Sequence, residues 1–171
     1  MIPPPLPSNE ESRLAALERY RLDGIGRERA FDHATDLAAQ LFKVPISLVS
    51  IVGADEQCFK GAHGLDGLST PRAVSFCGHA ILRREVMVVP DALRDPRFAD
   101  NPMVTGEPRI RFYAGYPLVL PCGSCVGTLC IVDTRPHQLD EAAIRLLRDF
   151  GSLVQQELTA GGPRDKGRRP G

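Results

Sequence analysis

The sequence predicts an α+β fold: a central antiparallel β-sheet with helices segregated to the two ends of the chain. Three observations predict it. Apolar residues recur at helical spacing near both ends, as Phe31, Ala34, Ala38 and Leu41 and again as Leu147, Phe150, Val154 and Leu158. Between them lie β-branched apolar runs, of which Ile46 to Val52 (I-S-L-V-S-I-V) is the clearest. Two short polar or glycine-containing connections, Gly53 to Glu56 and Pro121 to Ser124, join neighbouring strands as hairpins.

In chain order, residues 1–7 (M-I-P-P-P-L-P) read as a disordered proline-rich tail. Ser8 with Glu11 makes a capping-box pattern for a short helix reaching about Leu22, with Leu14 and Leu17 on one face. Gly24 and Gly26 interrupt it, and the amphipathic second helix follows until Pro45 bars its continuation. Ile46 to Val52 is a strand covered on both faces, and Gln57 to Ala62 returns beside it. Ser75 to Leu82 has room for one or two helical turns, and Val86 to Val89 is a short strand. Asp95-Pro96 reads as a helix start, with Asp at the cap and Pro at the first position. Arg109 to Leu120 and Cys125 to Asp133 form the second hairpin, and Asp140 caps the last helix. Residues 8–160 thus form one domain, and residues 161–171 (G-G-P-R-D-K-G-R-R-P-G) read as a disordered basic tail.

Composition narrows the function. Lys and Arg number 21 and Asp and Glu 21, so no general electrostatic pull toward nucleic acid or anionic membrane follows. No apolar run approaches the roughly 20 residues of a membrane span, and the first residues lack the cationic and apolar regions of a secretory signal. A cytoplasmic location is the expectation. The five cysteines are an odd number in a chain too long to need disulfide staples, which favours reduced thiols.

The ordered part of the chain resembles the GAF domain family. The resemblance rests on L-F-K-V-P-I-S-L-V-S-I-V, C-F-K-G-A-H-G-L, V-S-F-C-G-H-A-I-L, V-V-P-D-A-L-R-D-P-R-F-A-D-N-P, I-R-F-Y-A-G-Y-P-L and V-G-T-L-C-I-V-D, in that order between about Leu22 and Leu158. It implies terminal helices on one sheet face. On the other face, loops and short helices, here Arg72–Leu82 and Asp91–Arg109, form a roof over a small-molecule pocket. Phe76, Cys77, His79, Asp91, Phe98, Arg111, Tyr113, Thr128 and Cys130 are the expected ligand-binding residues. No catalytic residue, metal or cofactor is expected. The implied function is a non-catalytic sensory or regulatory domain in signal transduction. Its partners would be a small molecule, a second copy through the terminal helices, and a separate output protein.

Two rivals stay open. The first is a thiol oxidoreductase related to the methionine sulfoxide reductases built on this domain. Phe76-Cys77-Gly78 matches part of their roof motif, but the loop from Arg94 to Arg109 lacks the attacking cysteine they carry there. The second is a dimerisation module whose pocket is filled by its own side chains. The signature of cyclic-nucleotide binders and the Cys-His dipeptide of bilin binders have no counterpart. Cys77 and His79, two apart, share no helical face. Arg111, on one strand face with Arg109 and Tyr113, could grip an anionic ligand or pair with Asp91 or Asp95 to hold the roof down. Cys122-Gly-Ser-Cys125 is a redox pair, half a zinc site or a turn that happens to hold two thiols.

Overall fold

The computed structural model describes residues 1–24, 26–160 and 162–163, so most of the expected basic tail lies outside the described residues. Five α-helices and six strands appear in the order α1 (Glu10–Arg19), α2 (Arg29–Phe42), β1 (Ile46–Val52), β2 (Glu56–His63), β3 (Ser69–Pro71), α3 (Phe76–Ala80), β4 (Met87–Val89), α4 (Pro102–Thr105), β5 (Phe112–Val119), β6 (Cys125–Asp133) and α5 (Glu141–Thr159). The strands make one sheet in the order β3-β2-β1-β6-β5-β4, and every neighbouring pair is antiparallel.

Strand alternation divides the core in two. Val49, Ile51, Phe112, Ala114, Leu118, Leu129 and Ile131 face α1, α2 and α5, where Leu17, Ala38, Leu147, Val154 and Leu158 meet them. Leu48, Val52, Tyr113, Cys130 and Val132 face the roof, where Phe76, Ala80, Phe98 and Val104 cover them. Every residue of β1 is buried, as its uninterrupted apolar run requires. The predicted face pattern of the sheet and its two terminal helices therefore stands.

Local boundaries differ for identifiable reasons. The Ser8–Glu11 box does not form; α1 starts at Glu10 behind Asn9, one residue later than that box requires, and no side chain caps it. Arg109 has φ 61 and lies before β5, so the strand is shorter than its sequence pattern. Asp95 starts a turn rather than a helix, since its carboxylate accepts from the backbone and guanidinium of Arg97. The short helix comes six residues later, where Asn101 caps α4 through the Met103 N–H. The hairpin between β5 and β6 closes as expected, with Gly123 at φ 92 supplying the left-handed residue of the turn.

Residues 1–7 form neither helix nor strand, yet they have defined neighbours. The Ile2 N–H donates to the Arg97 carbonyl at 3.1 Å, the Ile2 carbonyl accepts from His79, and Pro4 lies against Gly78 of α3. The chain start crosses the outside of the roof.

Candidate functional site

Ser75 caps α3 by accepting from the Gly78 N–H at 3.0 Å, and this short helix lowers Cys77 onto the sheet. On the sheet, β5 presents Tyr113 and β6 presents Thr128 and Cys130 on the same face. The two hydroxyls converge on one atom. Tyr113 Oη donates to Cys77 Sγ at 3.3 Å and Thr128 Oγ1 donates to it at 3.1 Å. Cys130 lies within hydrogen-bonding reach of the same sulfur. The hydrogen bond from Cys130 draws the Cys77 thiol below its ordinary pKa. Burial opposes that shift, and Thr128 and Tyr113 reinforce it. Cys130, as the donor of the pair, is pushed the other way, and burial first of all raises the Tyr113 hydroxyl.

The aromatic residues close the space above this cluster. Phe76 stacks on Phe98 with ring centres 4.0 Å apart and planes 9° from parallel, and Phe76 stacks on Tyr113 at 5.2 Å. All three are buried. Tyr113 reaches the cysteine because it lies along its own strand over Gly115. A Cβ at Gly115 would meet the tyrosine oxygen at 2.3 Å, so that position admits no side chain while the ring stays down.

The expected site residues therefore separate into three places. Phe76, Cys77, Phe98, Tyr113, Thr128 and Cys130 come together between roof and sheet. His79 sits on the outer side of the roof, its Nε2 bonded to the Ile2 carbonyl at 2.9 Å and its ring edge-on to Phe98 at 5.0 Å. Burial, above all, lowers its pKa. Asp91 and Arg111 leave the cluster altogether. Asp91 accepts from the Leu93 N–H and faces an open cleft of about 630 Å³ with Arg94 and His137. Arg111 turns its guanidinium to the Val104 and Ile110 carbonyls at 2.9 and 3.0 Å. It holds the roof through carbonyls rather than through Asp91 or Asp95, and it does not reach the compartment of Tyr113.

Two contributors escaped the sequence reading. Ser50 lies on the roof-facing side of β1, fully buried, with its Oγ near Cys77 and without a well-formed hydrogen bond among the described residues. Its place was legible, because residues 48, 50 and 52 share a strand face. His137 bonds through Nε2 to the buried Asp133 carboxylate at 2.5 Å, a pair four residues apart at the end of β6. The Cys122–Cys125 motif behaves differently. Cys122 is exposed at the turn, whereas Cys125 is half-buried with its Sγ 3.8 Å from the Arg83 carbonyl. Among the described residues no cluster of three or more His, Cys, Asp or Glu side chains could hold a metal.

The fold matches solved structures at low identity. The free methionine-R-sulfoxide reductase of Neisseria meningitidis superposes with a TM-score of 0.62 and 19% identity, covering 76% of each chain. The GAF domain of a phosphoenolpyruvate-protein phosphotransferase from Coxiella burnetii gives a TM-score of 0.61 and 18% identity over 90% of this chain and 94% of that one. In sequence, a cyclic di-GMP phosphodiesterase of Pseudomonas aeruginosa is 43% identical over 159 residues, which is 92% of this chain and 27% of the relative. The chain thus spans about a quarter of that protein's length. The GAF domain family model matches residues 26–158. With the sheet, the roof and the two layers of core in place, the chain belongs to the GAF domain family.

Proposed function

We propose that this chain is a non-catalytic sensory or regulatory domain in signal transduction, responding to a small molecule at the compartment between roof and sheet. The observation that carries this reading is the compartment itself. Polar groups on β1, β5 and β6 converge under a roof of short helices and turns, and the roof is sealed chiefly by the stacked rings of Phe76 and Phe98. A ligand would displace Phe98 and exchange the stack for its own contacts, so binding and roof movement would be one event. A separation of the two chemically able side chains supports the non-catalytic reading. Cys77 Sγ is buried against hydroxyls, while His79 faces the chain start. The similarity to a cyclic di-GMP phosphodiesterase supports a place in a signalling protein, with the output supplied by another segment or another chain. Among the described residues no helix is long and apolar enough to cross a membrane, which suits a cytoplasmic role.

Dimerisation through the helical layer is the second component of the reading. Leu37 and Leu41 on α2 are 43% and 47% exposed, and Leu146 and Leu153 on α5 are 42% and 61% exposed. An exposed apolar surface on the layer remote from the roof fits a second copy of the chain. The test is native mass spectrometry of the chain purified from its own cells. A dimer carrying a small-molecule adduct supports the full reading. A dimer without one leaves the rival interaction module, and a monomer without one removes both components.

A further inference from the structure

The thiols that stand apart in sequence are the ones that meet in space. Cys77 and Cys130 come together in the buried roof-facing cluster, close enough for each thiol to shift the other's pKa, although α3 and β6 bring them from distant parts of the chain. Cys122 and Cys125, adjacent in a CxxC motif, point to different surroundings. The buried pair is also surrounded by hydroxyls. Thr128 and Tyr113 donate to Cys77 Sγ, and the unpartnered Ser50 Oγ faces the same sulfur from β1. An apolar core does not need three hydroxyls around a thiol, since Cys packs there as a small hydrophobe. Buried hydroxyls are retained where they have something to bond. Here the thing to bond is sulfur-centred negative charge, or an oxygen bound to that sulfur.

We propose that Cys77 and Cys130 form an oxidisable dithiol that hydrogen peroxide converts to a disulfide inside the fold. Cys77, having given its proton to solvent, is the attacking sulfur. Its lone pair forms an S–O bond to one peroxide oxygen, the O–O bond breaks, and the departing hydroxide takes up a proton to leave as water. Cys77 is then a sulfenic acid. The Cys130 sulfur attacks Cys77 Sγ, the S–S bond forms, the S–O bond breaks, and hydroxide leaves with the Cys130 proton as a second water. Two thiols are oxidised and one peroxide is reduced to two waters. The hydroxyls of Thr128, Tyr113 and Ser50 serve both stages, by donating to the thiolate and then to the oxygen bonded to it. The drop in the Cys77 pKa and the rise in that of Cys130 agree with this division into attacking and resolving thiols. The inference does not depend on the ligand reading above. A domain that binds no small molecule could still carry this pair.

Thiol mapping of the wild-type chain tests it. The reduced protein is exposed to hydrogen peroxide, quenched, unfolded, alkylated and mapped by peptide mass. The expected result is that Cys77 and Cys130 leave the alkylated pool together, appear as one cross-linked peptide pair, and return on addition of dithiothreitol. Cys58, half-buried on the helix-facing side of β2, stays alkylatable as the internal reference. In Cys130→Ser, Cys77 should stall as a sulfenic acid that dimedone traps. The proposal is overturned if Cys77 and Cys130 stay alkylated at peroxide doses that modify the exposed Cys122. It is overturned equally if Cys77 runs on to sulfinic acid while Cys130 remains free. Should Cys130→Ser fail to fold, the wild-type map decides alone.

Discussion

Glu10 on α1 and Arg72 at the foot of the roof are joined by an ion pair across 62 residues of sequence. The same carboxylate takes two hydrogen bonds of 2.9 Å from Arg13. Arg13 has no exposed surface and donates its remaining nitrogen to the Val52 carbonyl at 2.6 Å. One acid thus bridges two largely buried guanidinium groups at the end of β1.

Replacing Glu10 by Gln leaves those two charges facing each other. The expected loss is about 2 kcal/mol of unfolding free energy, less than for a wholly buried pair because the Glu10 side chain is partly exposed. Burial works to raise the Glu10 pKa, but the hydrogen bonds and charges of Arg13 and Arg72 overcome it and hold the group at about 2 instead of 4.5. A depressed carboxylate stabilises the fold above its unfolded pKa, and that contribution is lost as pH falls from about 4.5 toward 2. Urea titrations in that window should show a steeper acid loss for wild type than for Glu10→Gln.

His79 acts in a different window, gaining a positive charge where Glu10 loses a negative one. Burial lowers its pKa below 6.5; Arg97 lowers it too, while Asp95 and the Ile2 carbonyl raise it. The unfolded chain therefore takes up a proton more readily, so stability is full above 6.5 and falls as pH drops below it. Gln at this position keeps an N–H donor for the Ile2 carbonyl and removes the titration. His79→Gln should flatten the stability profile between about pH 7 and 5.5 without lowering the neutral-pH value by more than about 1 kcal/mol.

Phe98→Ala tests the seal of the compartment. The ring lies flat on Phe76 and beneath the Arg97 guanidinium, 5.0 Å from its centre. Truncation should cost about 3 kcal/mol in denaturant unfolding. It should also speed hydrogen exchange in α4 and in residues 95–100 relative to β1, because this part of the roof loses its stack on Phe76. A uniform rise across the whole chain would count against Phe98 as a local seal.

The two faces of α5 separate stability from association. Leu158 is 8% exposed and Leu153 is 61% exposed. Leu158→Ala should destabilise the fold by about 2–3 kcal/mol. Leu153→Glu should stay within about 0.5 kcal/mol of wild type yet convert a dimer to monomer in light scattering. The stripe expected from sequence, Leu147, Phe150, Val154 and Leu158, packs against the sheet-side core, so the proposed association would fall to the leucines beside it.

The sheet and both terminal helices were legible because burial on a known face repeats every two or 3.6 residues. Phe76, Cys77, Phe98, Tyr113, Thr128 and Cys130, which the family resemblance implies for ligand binding, do lie together between roof and sheet. What the sequence did not show is that the three rings pack on one another and occupy the space. That depends on rotamers set by residues 36 and 51 positions away, such as the Tyr113 and Thr128 bonds to Cys77. β5 begins at Phe112, three residues later than its sequence pattern, so Arg111 lies before the strand and its side chain reaches backbone carbonyls that no sequence pattern advertises. Asp91 and Asp95 were read as partners for arginine, but capping a turn and an adjacent Arg97 took their oxygens first.

The chain start lies on the roof side of the sheet at Ile2 and Pro4, and on the helix side from Leu17 onward. Between these points stand Pro3, Pro4, Pro5 and Pro7, a stretch with little freedom to bend or coil. It works as a strut: a shift of α3, from whatever cause, pushes on α1 with little slack to absorb it. Glu10 and Arg72 brace the far end of that strut. Two layers on opposite faces of the sheet are therefore mechanically geared, and a change felt at Cys77 has a short covalent route to the opposite surface of the domain.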